Sequence, residues 1–206
     1  MKVLAIESSC DDTSFSVVSD DKSIDFIKTI NHRKFHKKHG GVIPEMAARQ
    51  HLDIMDYLQK SIKKFDFKKI DAIAATYGPG LIGGLIVGSS FAKGLSIARQ
   101  KKLIPVNHLQ AHLLSPRLTS NLSFPYLCLL VSGGNTALVI VKSPKKFVTL
   151  GSTIDDSAGE CFDKVSKALG LGYPGGPIIE KLALKGDHHK YKLPLPLTKV
   201  KNCNFS

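Results

Sequence analysis

Tryptophan is absent from this chain of 206 residues, and cysteine is scarce. The four cysteines stand singly, without a CxxC pair: Cys10, Cys128, Cys161 and Cys203. This spacing argues against a zinc ribbon or a disulfide framework and predicts reduced thiols. No apolar run approaches the roughly 20 residues of a membrane helix, and the amino terminus has no signal-peptide pattern. We therefore expect a cytoplasmic protein that does not enter a membrane.

Acidic residues are also few. The chain has 17 Asp and Glu against 29 Lys and Arg, which gives a formal net charge of +12. Much of this charge lies in two stretches, 28–39 and 185–201. Basic clusters suit a polyanion such as RNA, although a solvated basic face is the ordinary alternative. Both explanations stay open at this point.

One pattern occurs twice in the chain. Residues 4–18 read LAIESSCDDTSFSVV and residues 127–141 read LCLLVSGGNTALVIV, so that Ser9 aligns with Ser132. Two apolar runs around a turn of small residues predict a β-hairpin, and such a turn leaves backbone N–H groups open to an anion. Hairpins also look alike by chance. If the repeat is real, it predicts two facing lobes that hold a nucleotide phosphate between them.

Strands and helices alternate after the first hairpin. The pattern predicts a helix over 45–63, a strand over 70–76, a helix over 81–99 and a strand over 103–106 that leads into a helix near residue 107. His51 on the first helix is more often a surface or packing histidine than a functional one. Gly80, Gly84 and Gly88 have four-residue spacing. Because no Walker lysine follows, we expect these glycines to serve close packing rather than phosphate binding.

A second, shorter series of elements follows. It contains the second hairpin, a strand over 147–150, a helix that begins with the capping box of Ser157 and Glu160, and a helix from Pro177. Its first helix has a predicted buried stripe of Phe162, Val165 and Leu169. The pattern predicts an α/β protein of duplicated RNase H-like, actin-like lobes. We expect a first lobe over 1–124 and an incomplete second lobe over 125–206, with a substrate-binding loop, in a chain truncated at its C-terminus.

His108 and His112 stand four residues apart in the sequence HLQAH at the start of a predicted helix. Both imidazoles would project from one helix face and could share a metal ion, although two ligands do not complete a site and the spacing can be coincidental. Leu109 occupies the position where an H-E-x-x-H zinc protease has its glutamate base. Peptide hydrolysis by that route is therefore disfavoured.

The chain resembles the TsaD-type tRNA threonylcarbamoyl transferases, members of the ASKHA superfamily of actin-like folds. The matching segments run in family order through nearly the whole chain: AIESSCDDTS, HGGVIPEMAARQH, YGPGLIGGLIVG, NHLQAHLLSP, LLVSGGNTAL, DDSAGECFDKVSKALGLGYPGGP and LPLPLTK. Several of these segments are long and specific. The resemblance is therefore firmer than any single motif.

This resemblance implies transfer of a threonylcarbamoyl group from threonylcarbamoyl-adenylate to the N6 amine of the adenosine 3′ of the tRNA anticodon. It implies TsaB-like and TsaE-like partner subunits. It also implies one divalent metal per subunit, with iron(II) favoured and zinc possible, held by His108 and His112 and acting as a Lewis acid. The family's third protein ligand, an Asp, lies beyond the end of this chain. We therefore expect little activity from the chain alone.

The resemblance also implies a set of substrate contacts. The phosphate and carbamoyl cradle would comprise Leu130, Val131, Ser132, Gly133, Gly134 and Asn135, and the nucleoside contacts would be Asp163, Gly176 and Glu180. Ser9 and Asp11 match, more weakly, a loop that faces the phosphate from the first lobe. At Asn135 the family has His, and Asn keeps a donor and an acceptor. From the residues alone, a solvated helix carboxylate is the better explanation of Asp163, and an Asx turn explains Asp11 equally well.

Two other hypotheses stay open. The first is a noncatalytic ASKHA scaffold similar to the family's shorter partner subunit, which lacks the metal histidines and is therefore disfavoured by HLQAH. The second is a metalloprotease, which Leu109 opposes. No catalytic residue is assigned beyond the metal ligands.

Overall fold

The computed structural model describes residues 1–32, 35–36, 39–62 and 66–206, with only the backbone of Leu58 and Ile62. These residues form two compact units, Met1–Ala111 and His112–Ser206. The boundary predicted from the sequence, after residue 124, lies inside the second unit, and the lobe assignment stays a prediction. None of the described helices is long and apolar enough to cross a membrane. All four cysteines are free thiols, as predicted.

The first unit is built on a five-stranded sheet of order β3-β2-β1-β4-β5. Its elements are β1 Lys2–Glu7, β2 Asp12–Ser19, β3 Ile24–Asn31, α1 Pro44–Ile62, a 3-10 turn Phe67–Lys69, β4 Ala72–Gly78, α2 Ile82–Arg99 and β5 Lys102–Asn107. β1, β2 and β3 are antiparallel neighbours, while β1, β4 and β5 are parallel. β3 is not predicted from the sequence, because this edge strand is mostly exposed and has no buried alternation.

Apolar side chains at alternate positions of β1 and β2 form the core of the first unit. Leu4, Ile6, Phe15 and Val17 are all buried and pack with residues of both long helices. Because side chains of a strand point to opposite faces in turn, these residues share the sheet face that the helices cover. The predicted helices are confirmed at their described ends. Residue 63 and parts of the basic stretch 28–39, namely 33–34 and 37–38, lie outside the described residues.

Gly80, which precedes α2, and Gly84 and Gly88 within α2 serve packing, as predicted. The turn between β1 and β2 lies on this helix, where the Ser8 hydroxyl donates to the carbonyl of Gly84 at 2.9 Å and the Leu81 N–H donates to the carbonyl of Ser9 at 2.7 Å. A Cβ on Gly80 would lie 2.6 Å from the Ser9 carbonyl oxygen, and one on Gly88 would overlap the Ser8 hydroxyl. Only glycine permits this close approach.

His51 is a packing histidine, buried beside that same turn. Its Nε2 lies 3.0 Å from the Cys10 carbonyl oxygen and must donate, so Nδ1 accepts from the Thr13 hydroxyl at 2.7 Å. That hydroxyl in turn accepts from Nε2 of the buried His32 at 3.0 Å. Burial, helped by the nearby His51, lowers the pKa of His32 to about 4, and burial also lowers the pKa of His51. Both imidazole rings are therefore neutral at neutral pH, which leaves Nδ1 of His51 free of a proton to accept from Thr13.

The second unit repeats the hairpin of the first. Its elements are α4 Pro116–Thr119, β6 Tyr126–Val131, β7 Thr136–Ser143, β8 Lys146–Ser152, α5 Ala158–Ala168 and α6 Gly175–Ala183, while α3 His108–Leu114 includes the boundary between the units. β6, β7 and β8 form an antiparallel sheet in that order. It corresponds to β1, β2 and β3, and no strand in 112–206, all of which is described, corresponds to β4 or β5.

The predicted buried stripe of α5 is wrong. Phe162, Val165 and Leu169 are 47%, 44% and 65% exposed, whereas Ser166 is buried. The reason is the contact with α6. A Cβ on Gly175 would overlap the carbonyl oxygen of Phe162 and would lie 2.6 Å from Cβ of Ser166. The two helices therefore meet on the small Ser166 side, and Phe162 and Val165 line an open cavity of about 350 Å³.

We expect Gly84→Ala to lower the free energy of unfolding of the first unit by about 1–3 kcal/mol, the usual cost of overpacking. Its Cβ would overlap the Ser8 carbonyl oxygen and lie 2.9 Å from the His51 ring. The matched control is Gly94→Ala in the same helix, where a Cβ would meet nothing within 4 Å. This control should stabilise by about 0.5–1 kcal/mol. Urea unfolding of both variants measures the difference, and equal effects would contradict the packing role.

Stability should fall as the pH is lowered from about 6.5, the ordinary histidine pKa, towards 4. In this window the unfolded chain binds a proton on His32 that the folded chain does not, because its folded pKa is about 4. The expected slope is about 1.4 kcal/mol per pH unit for this group. Urea unfolding between pH 7 and pH 4 measures the slope, and His32→Gln should flatten it. An unchanged slope in that variant would refute the assignment.

Candidate functional site

Polar side chains collect where the three parallel strands of the first unit end. Glu7 is the last residue of β1, Thr76 lies near the end of β4, and His108 follows β5 directly. Parallel pairing of β1 with β4 and of β4 with β5 places these strand ends side by side. Ligands of open α/β sheets bind outside the carboxyl ends of the strands. This edge is therefore the candidate site of the first unit.

Glu7 is the centre of this group. Its Oε1 accepts the N–H of Ser9 at 2.6 Å, its Oε2 accepts the hydroxyl of Thr76, and its Oε2 lies 3.3 Å from Nδ1 of His108. Burial raises the pKa of this carboxyl, but the hydrogen bonds from His108, Ser9 and Thr76 together lower it to about 2. Glu7 is therefore a carboxylate at neutral pH. The sequence analysis did not single it out, although a charged residue that closes the apolar run VLAI was a signal.

Ser9 connects this carboxylate to the histidine. Its hydroxyl lies 3.1 Å from Nδ1 and 3.5 Å from Nε2 of His108, while its carbonyl accepts from Leu81. Its neighbour Asp11 accepts the N–H of His32 through its carbonyl at 3.0 Å. The predicted role of Ser9 and Asp11 towards a phosphate stays a prediction. What the structure adds is that Ser9 holds the turn in place.

His108 and His112 both lie on α3, the helix whose start the sequence predicts. Asn107 caps it, since its Oδ1 accepts the N–H of Gln110 at 3.0 Å. Within the described residues, no group of three or more His, Cys, Asp or Glu side chains is placed to bind a metal ion. The surroundings of His108 nevertheless fit a metal ligand, because its Nδ1 faces the Glu7 carboxylate. Metal-binding histidines generally donate their other ring N–H to a carboxylate, a backbone carbonyl or water. Its pairing with His112, which belongs to the second unit, stays a prediction.

The predicted cradle is a tight turn of the second unit. The N–H of Ser132 donates to the Asn135 carbonyl at 2.8 Å, and the N–H of Asn135 donates to the Ser132 hydroxyl at 3.1 Å. The turn is attached to the start of α5, because the Gly133 carbonyl accepts the Glu160 N–H at 3.0 Å and the Ser157 hydroxyl. Ser157 also caps α5, as predicted.

The cradle residues differ in what they expose. Leu130 is buried in β6, whereas Val131 is 55% exposed at its end. A Cβ on Gly133 or on Gly134 would meet nothing within 4 Å, so both glycines border open space. Gly159, which the sequence analysis missed, makes the contact with α5 possible, because its Cβ would lie 2.7 Å from the Gly133 Cα. The turn is therefore closed on the helix side and open at its two glycines.

The predicted nucleoside contacts lie on α5 and α6 of the same unit. Asp163 accepts the N–H of Gly175 at 2.6 Å through Oδ1, so its carboxylate caps the start of α6. Gly176 would have nothing within 4 Å of an added Cβ, and Glu180 is exposed. Asp163 is therefore more than a solvated helix carboxylate. Whether these three residues contact a nucleoside stays a prediction.

A profile of the family described as TsaD, tRNA N6-adenosine threonylcarbamoyltransferase, matches residues 26–206. The tRNA N6-adenosine threonylcarbamoyltransferase of Orientia tsutsugamushi (strain Boryong) is 52% identical over 209 residues, which cover 100% of this chain and 61% of the relative. The protein of the same name from Rickettsia rickettsii (strain Sheila Smith) is 51% identical with the same coverage. The chain thus spans about 61% of the length of the curated relatives it matches.

Among solved structures, a ROK family protein from Streptococcus pneumoniae TIGR4 superimposes with a TM-score of 0.55. The alignment covers 90% of this chain and 68% of that chain at 16% identity. At this identity the likeness concerns the fold alone. It confirms the predicted α/β fold.

We expect Asp163→Ala to lower the free energy of unfolding of the second unit by about 1.5–3 kcal/mol, the usual value of a hydrogen bond to a charged group. Asp163→Asn, which keeps an acceptor oxygen for the Gly175 N–H, should cost less. Urea unfolding of both variants checks the cap.

A titration with AMP then tests whether Asp163 also contacts a nucleoside. If the carboxylate also contacts a ribose, Asp163→Asn should weaken AMP binding even where its stability is unchanged, and undiminished affinity would exclude that contact.

Proposed function

Because the chain belongs to the TsaD family of tRNA N6-adenosine threonylcarbamoyltransferases, we propose that it acts in the transfer of a threonylcarbamoyl group from threonylcarbamoyl-adenylate to tRNA. The acceptor is the N6 amine of the adenosine 3′ of the anticodon, and AMP is released. The observation that carries the proposal is the family match, which spans 26–206. The activity, substrates and partners of the whole relatives are extended here to a chain of about 61% of their length.

In this proposal, His108 and His112 hold a divalent metal ion, for which iron(II) is favoured and zinc is possible. The ion supplies Lewis-acid polarisation of the carbonyl group that is transferred. The contact that supports this assignment is the carboxylate of Glu7, 3.3 Å from Nδ1 of His108. A carboxylate at one ring nitrogen orients the other towards a ligand.

The turn from Ser132 to Asn135 receives the adenylate phosphate. Both of its glycines border open space, so a ligand can approach the backbone closely. The hydrogen bonds of Gly133 to α5 keep the turn fixed while the ligand binds. A fixed backbone stabilises an anion without a further cost of ordering the loop.

We also propose that tRNA contacts the basic stretch 185–201. Its lysines are exposed in the described chain: Lys185, Lys190, Lys192, Lys199 and Lys201. Exposed lysines neutralise phosphates and give binding that weakens with salt. TsaB-like and TsaE-like subunits complete the proposed assembly, and the cytoplasm, where tRNA is modified, is the proposed location.

The test is formation of threonylcarbamoyladenosine in tRNA from threonylcarbamoyl-adenylate, followed by mass spectrometry of nucleosides. It uses this chain and this chain completed with the part of the Orientia relative that it does not match. In whichever form is active, we expect His108→Ala and His112→Ala to lower the rate about 100-fold or more, because loss of the Lewis acid raises the barrier by several kcal/mol.

The matched control is Gln110→Ala, on the same helix between the two histidines and exposed. Its rate should stay within about twofold of the parent. A tenfold change in rate needs a change of about 1.4 kcal/mol in the barrier, which the loss of an exposed side chain that binds no metal does not supply. Full activity of the histidine variants would refute the metal assignment. Absence of modified tRNA in the completed form with its partner subunits, or hydrolysis of a glycoprotein instead, would refute the proposed function.

A further inference from the structure

The geometry at the end of β1 leads to a role for a residue that no comparison singles out. We propose that Glu7 is a positioning residue that fixes His108 in the tautomer with the proton on Nδ1, which makes Nε2 the nitrogen offered to a metal ion. The tautomer is a property of this chain by itself. Its consequence for metal binding rests on the function proposed above.

The first step of the inference concerns the protonation of Glu7. Oε1 accepts the Ser9 N–H at 2.6 Å, and Oε2 accepts the Thr76 hydroxyl. A glutamate carboxyl is ionised at neutral pH unless its surroundings disfavour the charge, and hydrogen bonds donated to both of its oxygens favour the ionised form, which has no proton to donate. Nδ1 of His108 lies 3.3 Å from this Oε2. Two acceptors do not attract each other, so Nδ1 must carry the hydrogen.

The second step excludes Ser9 as the residue that decides the tautomer. Its hydroxyl lies 3.1 Å from Nδ1 and 3.5 Å from Nε2 of His108. A hydroxyl can donate or accept, and it rotates to suit its neighbours. Ser9 therefore follows either tautomer, whereas the carboxylate of Glu7 is compatible with only one.

The third step is that this arrangement is rigid. The Ser9 N–H holds one oxygen of Glu7, and the hydroxyl of Thr76 on the neighbouring strand β4 holds the other. His108 is held by its backbone, because α3 begins directly after β5. The side chains of His108 and Glu7 are 23% and 34% exposed, so water competes with their contact only in part. A neutral imidazole binds a metal through its unprotonated nitrogen, and a carboxylate behind it raises its basicity.

The first experiment reads the tautomer directly, without metal. The chain is labelled with ¹⁵N-histidine, and long-range ¹H–¹⁵N correlation spectra are recorded at pH 8, with His108→Ala used to assign the signal. We expect a protonated Nδ1 and an unprotonated Nε2 in the parent chain. A parent chain with its proton on Nε2 overturns the proposal, and this outcome needs no variant that could fail to fold.

The second experiment uses Glu7→Gln. Glutamine has one acceptor oxygen, and if this oxygen stays on the Ser9 N–H, the NH2 group faces Nδ1 and favours the proton on Nε2. The matched control is Asp71→Asn, since the Asp71 carboxylate accepts the Lys2 N–H at 2.6 Å at the opposite end of β1. We expect the tautomer to shift in the first variant and not in the second. Circular dichroism verifies that both fold.

Zn²⁺ titration by calorimetry then gives a readout besides activity. We expect Glu7→Gln to weaken binding about 10- to 100-fold, as loss of such partners generally does, and Asp71→Asn to leave it unchanged. Equal affinity of the parent and Glu7→Gln overturns the effect on the metal. If the parent shows the expected tautomer but binds no Zn²⁺ even when completed with the unmatched part of the relative, the proposed metal site fails while the role of Glu7 in the tautomer stands.

Discussion

The first unit depends on the close contact between the β1–β2 turn and the glycine face of α2. Ser8 and Ser9 approach this helix so closely that Gly80, Gly84 and Gly88 have no room for a side chain. The turn cannot move without breaking two hydrogen bonds to the helix. Because Glu7 precedes the turn and Ser9 lies within it, the position of the carboxylate is set by this contact. The position of His108, which faces Glu7, is determined by the end of β5, because His108 follows this strand directly.

A related solution occurs in the second unit. There the turn after β6 contacts the start of α5, where Gly159 leaves space for Gly133. In both units a hairpin turn is fixed by a helix through a glycine, and the fixed turn carries the candidate ligand contacts. The two helices occupy different places in the chain order. α2 follows β4, the fourth strand of the first sheet, whereas α5 follows β8, the third strand of the second sheet. The repeat therefore conserves the contact and not the partner element.

The second unit also shows where local pattern is an incomplete guide. The apolar positions of α5 have helical spacing, and the helix forms where the capping residues predict it. Burial of that stripe needs a partner on the same side. Among the described residues, α5 meets α6 through Ser166 and Gly175 instead, because small residues permit the closest approach of two backbones. Spacing predicted the helix, and packing selected the face.

The two hairpins, most helix boundaries, the packing role of the glycines at α2 and the family could be predicted from the sequence, because each depends on local spacing or on contiguous motifs. β3 could not, because its exposed edge position leaves no buried alternation to read. Tertiary packing brings Glu7, Thr76 and His108 together, because three parallel strands far apart in the chain end at one edge. It also makes Asp163 the cap of α6, since such a contact depends on how two helices cross. Contacts across the sheet and between helices are fixed by packing, which no local pattern encodes.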